Sequence, residues 1–271
     1  MKSLKIAAVL LLIFASHLAF ALNPSKEYKV KPDKYGMTYK EEKIPTKDGA
    51  TLNSWFFELP KKTTNWVVMS ASGDGNMADN LEIANNFLSA GWNVCMYDYR
   101  GYGASSDFKV DSDVYIYPQF AFDLNAVLDY LRKSRAIQRF DMYGQGIGAG
   151  LTLGVGAGRV EARKLIGDGP WPGLEPMKKK IKEKMGKDVV MPFGYDKNNE
   201  PMYGLAKSMP HLKGVMAIVS PNDPLVTPME MKLISGITDL YVVKSSPDNA
   251  GNFSTDKDAY FARVRKFLSM P

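Results

Sequence analysis

Histidine and cysteine are almost missing from this chain, with two of the first and one of the second among 271 residues. A lone thiol, Cys95, can make no internal disulfide, so no cystine framework holds the fold. It lies in the apolar run Trp92 to Tyr97 and reads as a small buried residue. His17 falls in an N-terminal segment expected to be removed, which leaves His211 as the one imidazole of the remaining chain. A histidine-built metal cluster is therefore not expected, and neither is a cofactor. Internal repeats, low-complexity tracts and long linkers are lacking too, which excludes a solenoid or a disordered array. Excess charge is small: Lys+Arg 35 against Asp+Glu 29 gives +6, and setting Lys2 and Lys5 aside leaves +4. That balance does not argue for a nucleic-acid partner.

What is present is ordinary globular composition, 45% hydrophobic and 24% charged, at a length that suits one large α/β domain. Residues 1–21 stand apart. Lys2 and Lys5 precede the apolar run Ile6 to Phe14, and Ala19-Phe20-Ala21 closes it. A basic end, a short apolar core and a small-x-small exit read as a signal peptide cleaved near Ala21, hence a periplasmic or secreted protein. The apolar run is short for a bilayer span. Residues 22–271 are expected to form the single domain.

From about residue 37, short apolar strands alternate with helix-length segments, the pattern of a sheet covered on both faces. Met37–Ile44 and Ala50–Phe57 read as a hairpin turned by Asp48-Gly49. Strands are expected at Trp66–Ser70, Trp92–Tyr97, Phe140–Tyr143, Lys164–Ile166, Val215–Val219 and Leu240–Val243. Helices are expected at Asn80–Ala90, with Leu81, Ala84, Phe87 and Leu88 inward, and at Pro118–Leu131. A closing helix is expected at Thr255–Leu268, with Ala259, Phe261, Val264, Phe267 and Leu268 inward. Between Pro170 and Pro210 the alternation breaks into an insertion rich in proline and lysine, expected to cap a site with Trp171 and Pro172 in its wall.

Four segments carry a resemblance. Tyr97-Asp98-Tyr99-Arg100-Gly101-Tyr102-Gly103-Ala104-Ser105 resembles the loop after the fourth strand of the α/β-hydrolase family, in its serine peptidase and esterase-like branch. Gly144-Gln145-Gly146-Ile147-Gly148, between a strand and a helix, is similar to that family's nucleophile elbow, G-x-S-x-G. Ser220-Pro221-Asn222-Asp223-Pro224-Leu225-Val226 resembles the acid loop, and Asn249-Ala250-Gly251-Asn252-Phe253 the loop that usually bears the histidine. The resemblance covers roughly residues 50 to 269. It implies an α/β-hydrolase fold, a mostly parallel eight-stranded sheet with helices on both faces and a cap at about 170–210.

The same motifs lack their reactive atoms. Gly146 occupies the serine position and Asn252 the base position, with Asp223 left as the third member. Without a hydroxyl no acyl-enzyme forms, and an amide cannot take the proton that imidazole takes. Glycine keeps a strained elbow at low cost because it has no Cβ. The loop after the third strand, Ser70-Ala71-Ser72-Gly73-Asp74-Gly75, stands where an oxyanion hole is expected, yet Asp74 would repel an oxyanion. The expectation is a non-catalytic member that binds a small ligand or a protein partner through Ser72, Gly73, Asp74, Gln145, Gly146, Ile147, Asp223 and Asn252.

Three other readings compete. An active hydrolase would use Ser70, Ser72 or Ser105 as nucleophile, or Asp74 or Asp223 to activate water. His211, ahead of the strand at Val215, is placed at the opposite edge of the sheet. Gly144-x-Gly146-x-x-Ala149, with Asp168 further on, also fits a dinucleotide fingerprint, though several strands precede it. Last, Pro176–Met185 reads as an amphipathic helix: Met177, Ile181 and Met185 form its stripe, expected to cover the pocket. Its lysines Lys178, Lys179, Lys180, Lys182 and Lys184 form a basic outer face suited to weak contact with an anionic surface.

Overall fold

The computed structural model describes residues 22–207 and 209–270. The expected signal peptide, residues 1–21, lies outside them. Eight strands form the main sheet: β1 Lys40–Pro45, β2 Thr51–Phe57, β3 Trp66–Ser70, β4 Asn93–Tyr97, β5 Phe140–Gln145, β6 Ala162–Asp168, β7 Gly214–Val219 and β8 Asp239–Val242. Their spatial order is β8-β7-β6-β5-β3-β4-β2-β1. β2 runs antiparallel to both neighbours and every other pairing along the row is parallel. Each expected strand is present, and those at 140, 164 and 215 are longer than the apolar pattern indicated.

Alternating side chains assign the two faces. Leu52, Phe56, Val68, Cys95, Met142 and Leu165 point to one side, where they meet α2 (Pro118–Ser134) and α3 (Ile147–Ala157). Val67, Met69, Val94, Met96, Ile166 and Ile218 point to the other, against α1 (Leu81–Ser89) and the C-terminal helix. Cys95 is fully buried, as its apolar surroundings indicated.

Two inward faces differ from expectation. In α1, Ile83 is buried and Leu88 only half-buried. The closing helix is broken: α4 (Leu174–Met185) and a single turn, α5 (Pro201–Gly204), precede β7, and the chain then closes with another single turn, α6 (Asn252–Thr255), and α7 (Lys257–Ser269). The Asp256 side chain caps α7 by accepting from the Ala259 amide at 3.0 Å. This restart leaves Ala259 exposed and gives the inward position to Tyr260.

The insertion seats itself differently from a lid. Met177 and Ile181 of α4 are buried in the core on the α2–α3 side, as is Trp171. Gly150 of α3 makes room for Trp171, since a Cβ there would fall 1.9 Å from the indole nitrogen. Trp171 packs edge-on against Tyr115 and Tyr195 and donates to the Ile147 carbonyl. The apolar stripe thus buries into the core, while α5 and the turn before it pack on α3. Lys180 leaves the outer face as well: it is half-buried and pairs with Glu230 at 2.6 Å.

Candidate functional site

In the sheet order, β3 lies between β4 and β5, so the chain leaves β3 to one side and returns on the other. Loops at such a switch point diverge and leave a crevice at the carboxyl ends of the strands. Here the loops after β3, β5, β6 and β7 meet the loop ahead of α6. Together they enclose a cavity of about 120 Å³, lined by Ser72, Asp74, Gln145, Gly146, Asp168, Gly169, Asp223, Asn249 and Ala250.

Gly146 is the hinge between β5 and α3, with φ 50° and ψ −117°. L-residues with a side chain rarely adopt this conformation, and glycine holds it without the Cβ penalty. The elbow's backbone shape is thus present without a reactive atom. Its amides are occupied: Gly146 N–H donates to the Asp168 carbonyl at 2.9 Å and Ile147 N–H to the Ser72 carbonyl at 3.2 Å. An oxyanion hole needs donors aimed at open space where charge will develop. The Ile147 donor, next in sequence to the elbow residue, is already spent on a loop carbonyl.

Asp223 is held by backbone. Its Oδ1 accepts from the Leu225 and Val226 amides at 2.9 and 2.8 Å, and its Oδ2 from the Asn249 amide at 3.0 Å. Asn249 ties the loop further, its Oδ1 accepting from Ser220 N–H and its Nδ2 donating to the Val226 carbonyl. Asn252 is fully buried beneath the cavity, and its Nδ2 donates to Asp168 Oδ1 at 2.7 Å. Tyr260 donates to Asp168 Oδ2 at 2.8 Å and shares a bond with Tyr143 at 2.9 Å. Neutral donors thus surround Asp168. Burial pushes its carboxyl up to about 6, against the opposing hydrogen bonds from Asn252, Tyr260 and Gln145.

The rim is tied to the start of the described chain. Leu22 is buried under Gly73, Asn23–Pro24 pairs in parallel with Asp74–Gly75, and Asn23 Nδ2 donates to Asp74 Oδ1 at 2.9 Å. Deeper along the same edge, Asp98 accepts from the Tyr28 hydroxyl and the Met77 amide.

No family model matches the sequence. Among curated proteins, it is 28% identical over 128 residues to the alpha/beta hydrolase domain-containing protein WAV2 of Arabidopsis thaliana, which covers 46% of this chain and 40% of that protein. An uncharacterised protein of Mycobacterium tuberculosis is 24% identical over 126 residues, covering 45% of this chain and 43% of that protein. The matched segment thus spans less than half the length of either relative. Among solved structures, an esterase of Pyrococcus furiosus superposes with a TM-score of 0.68 at 18% identity, covering 92% of this chain and 97% of its own. A serine hydrolase of Xanthomonas campestris described as lacking a lid gives a TM-score of 0.56 at 16% identity, covering 86% of this chain and 96% of its own. The chain has the α/β-hydrolase fold.

Within that fold, the structure sorts the expected site residues. Ser72, Asp74, Gln145, Gly146 and Asp223 line the cavity. Gly73, Ile147 and Asn252 do not. Gly73 faces Leu22, Ile147 is buried at the start of α3, and Asn252 turns down to Asp168. The histidine-loop residues that reach the cavity are Asn249 and Ala250. Trp171 and Pro172 are also absent from the cavity wall, because the insertion packs on α3.

Among the described residues, none of the alternative nucleophiles hydrogen-bonds a carboxylate or imidazole side chain. Ser70 pairs with Tyr97, Ser105 donates to the Asp98 carbonyl, and Ser72 makes only long contacts of 3.4–3.5 Å with the Asp74 backbone. His211 stands just ahead of β7, at the amino edge of the sheet. A ribose-binding role for Asp168 fails, since both its oxygens are engaged in the interior. Asp168 was legible in sequence as an acid at a strand's end, but nothing local showed that it lies under the elbow. Among the described residues, no group of three or more histidine, cysteine or acidic side chains is placed to hold a metal.

Proposed function

We propose that the chain is a non-catalytic α/β-hydrolase-fold protein, exported, whose elbow cavity takes a small polar ligand or a side chain offered by a protein partner. One observation carries this reading: the Ile147 amide is closed onto the Ser72 carbonyl over a Gly146 that has no side chain. Serine-hydrolase chemistry needs a nucleophile, a base and open oxyanion donors acting as a unit. At this cavity all three are spent or replaced. The relatives' hydrolase names describe a fold this chain shares; its own residues supply no route to an acyl intermediate.

Size limits the ligand. Drug-sized ligands occupy pockets of roughly 300–1,000 Å³, and a cavity of about 120 Å³ is well below that. Its lining offers hydroxyl, amide and carboxylate groups that can orient a small solute by hydrogen bonds, within walls that are mostly apolar.

The test is assay of the purified chain with short-chain aryl esters and amides and with a fluorophosphonate probe. Rates at the uncatalysed level and no labelled serine are expected. Turnover that disappears in Asp223→Ala, or a probe adduct mapped to Ser70, Ser72 or Ser105, would overturn the reading. Titration with small polyols and amides, followed by the NMR shifts of the Gly146 and Ala250 amides, locates binding at the cavity.

A further inference from the structure

The inward stripe of α4 is accounted for by the core; its outer side is not. Lys178, Lys179 and Lys182 are exposed there, while Lys184 is exposed on the flank that holds Lys180 and Glu230. The segment that follows returns along the helix. It leaves α4 at Gly186, and by Tyr195 it is packed on Trp171, ahead of the helix start, with ring centroids 6.1 Å apart. Val190 is fixed on the way: its amide donates to the Asp113 carbonyl and its carbonyl accepts from Tyr115. Lys182 pairs with Asp188 of this segment, so that side of the helix faces it. Lys178, one turn earlier, lies on the same side.

Two apolar side chains on the returning segment have no cover from the described residues. Val190 is 56% exposed and Phe193 is 101% exposed. A phenylalanine left in water forgoes the stabilisation that burial would give it. Charge is concentrated in the same place. Residues 174–197 hold seven lysines and four acidic residues, a net +3, whereas residues 22–271 as a whole carry +4.

We propose that this face is a docking surface for an anionic lipid bilayer. Phe193, with Val190 beside it, enters the headgroup–acyl boundary while Lys178, Lys179 and Lys182 lie over the lipid phosphates. The chemistry favours a bilayer over an acidic protein. The cations are all lysines on flexible stems, suited to diffuse charge, with no arginine in the segment to make a bidentate contact. The apolar element protrudes, where a protein hot spot would offer a central pocket.

The experiment places a reporter at the contact itself, Phe193→Trp in the full chain. Trp55, Trp66, Trp92 and Trp171 are 1%, 6%, 8% and 0% exposed, so the introduced tryptophan is the one that external quenchers reach. With vesicles of phosphatidylglycerol and brominated phosphatidylcholine, emission of this reporter should shift to the blue and be quenched. Brominated phosphatidylcholine alone should leave it unchanged. The effect should vanish at about 0.5 M salt, and Lys178→Gln with Lys182→Gln should weaken binding roughly 10- to 30-fold. If the reporter stays open to iodide on phosphatidylglycerol vesicles, the proposal fails, even where the apolar N-terminal residues carry the chain to the lipid. Equal quenching on neutral vesicles, or indifference to salt and to the double substitution, overturns it as well.

Discussion

Two carboxylates lie buried at the same edge of the sheet, and they are kept there by opposite means. Asp123 of α2 meets Arg100 of the loop after β4, which gives it Nε at 2.9 Å, Nη2 at 2.6 Å and its own amide at 2.9 Å, while Nη1 holds Asp48 at 2.7 Å. Asp168, under the elbow, meets only neutral donors from Asn252 and Tyr260. The first region is a charge lock, in which burial raises the Asp123 carboxyl and the Arg100 guanidinium opposes that rise. The second is a hydrogen-bonded floor whose carboxyl retains a proton affinity near neutrality. The difference explains how the elbow keeps its form with glycine at its centre: the floor beneath it depends on Asp168, Asn252 and Tyr260, and none of the three needs a serine or histidine above.

The largest effect should come from breaking the charge lock. Arg100→Ala leaves Asp123 buried without its cation, and removal of one partner of a buried pair costs about 3–5 kcal/mol. Urea unfolding should show the midpoint fall accordingly. A loss below about 1 kcal/mol would mean that Asp123 simply takes up a proton and that the two regions are alike.

Asp168→Asn tests the other side. A carboxyl whose folded pKa is raised by burial contributes stability at low pH, and that stability is lost as pH rises from about 4 through the folded value of about 6. Asp98, buried against Tyr28, is also raised to about 6 and acts in the same direction. Stability should therefore decline across this window, with Asp168 responsible for up to roughly 3 kcal/mol. Asparagine still accepts from Asn252, and Tyr260 can rotate to accept the new amide and donate to Tyr143. The variant should show a shallower decline in stability with pH. An unchanged slope would remove Asp168 from the account.

These contrasts mark how far the sequence could be read. Strand positions, the hairpin and the elbow were legible because apolar alternation and glycine spacing are local signals. The eight-stranded fold was implied by the resemblance to the α/β-hydrolase family, not by these signals. The seat of the insertion was not legible, because it depends on the fit of Trp171 against Gly150, a contact between elements. In sequence Lys180 looks like part of a basic face, since its partner, Glu230, is fifty residues away. The loop Asn249-Ala250-Gly251-Asn252 offered two asparagines, and spacing alone did not show which one turns inward. The closure of Ile147 onto Ser72 was hidden for the same reason: a hydrogen bond between distant loops leaves no mark on either segment.

The smallest effect is expected from restoring the missing atom. In Gly146→Ser the new Cβ would lie 3.2 Å from the Ser72 carbonyl oxygen and 3.4 Å from Ser72 Cβ, so the loop after β3 must give by a few tenths of an ångström. Together with a φ of 50°, this should cost about 1–3 kcal/mol, read as a lowered melting temperature. No activity should return. The hydroxyl would have no imidazole to take its proton, Asp223 would remain committed to three amides, and the Ile147 donor would still serve Ser72. Aryl-ester hydrolysis and fluorophosphonate labelling should therefore match the parent chain. Measurable acylation of the introduced serine would show that the loop opens when a side chain is present, and that the elbow is closed only because glycine lets Ser72 approach.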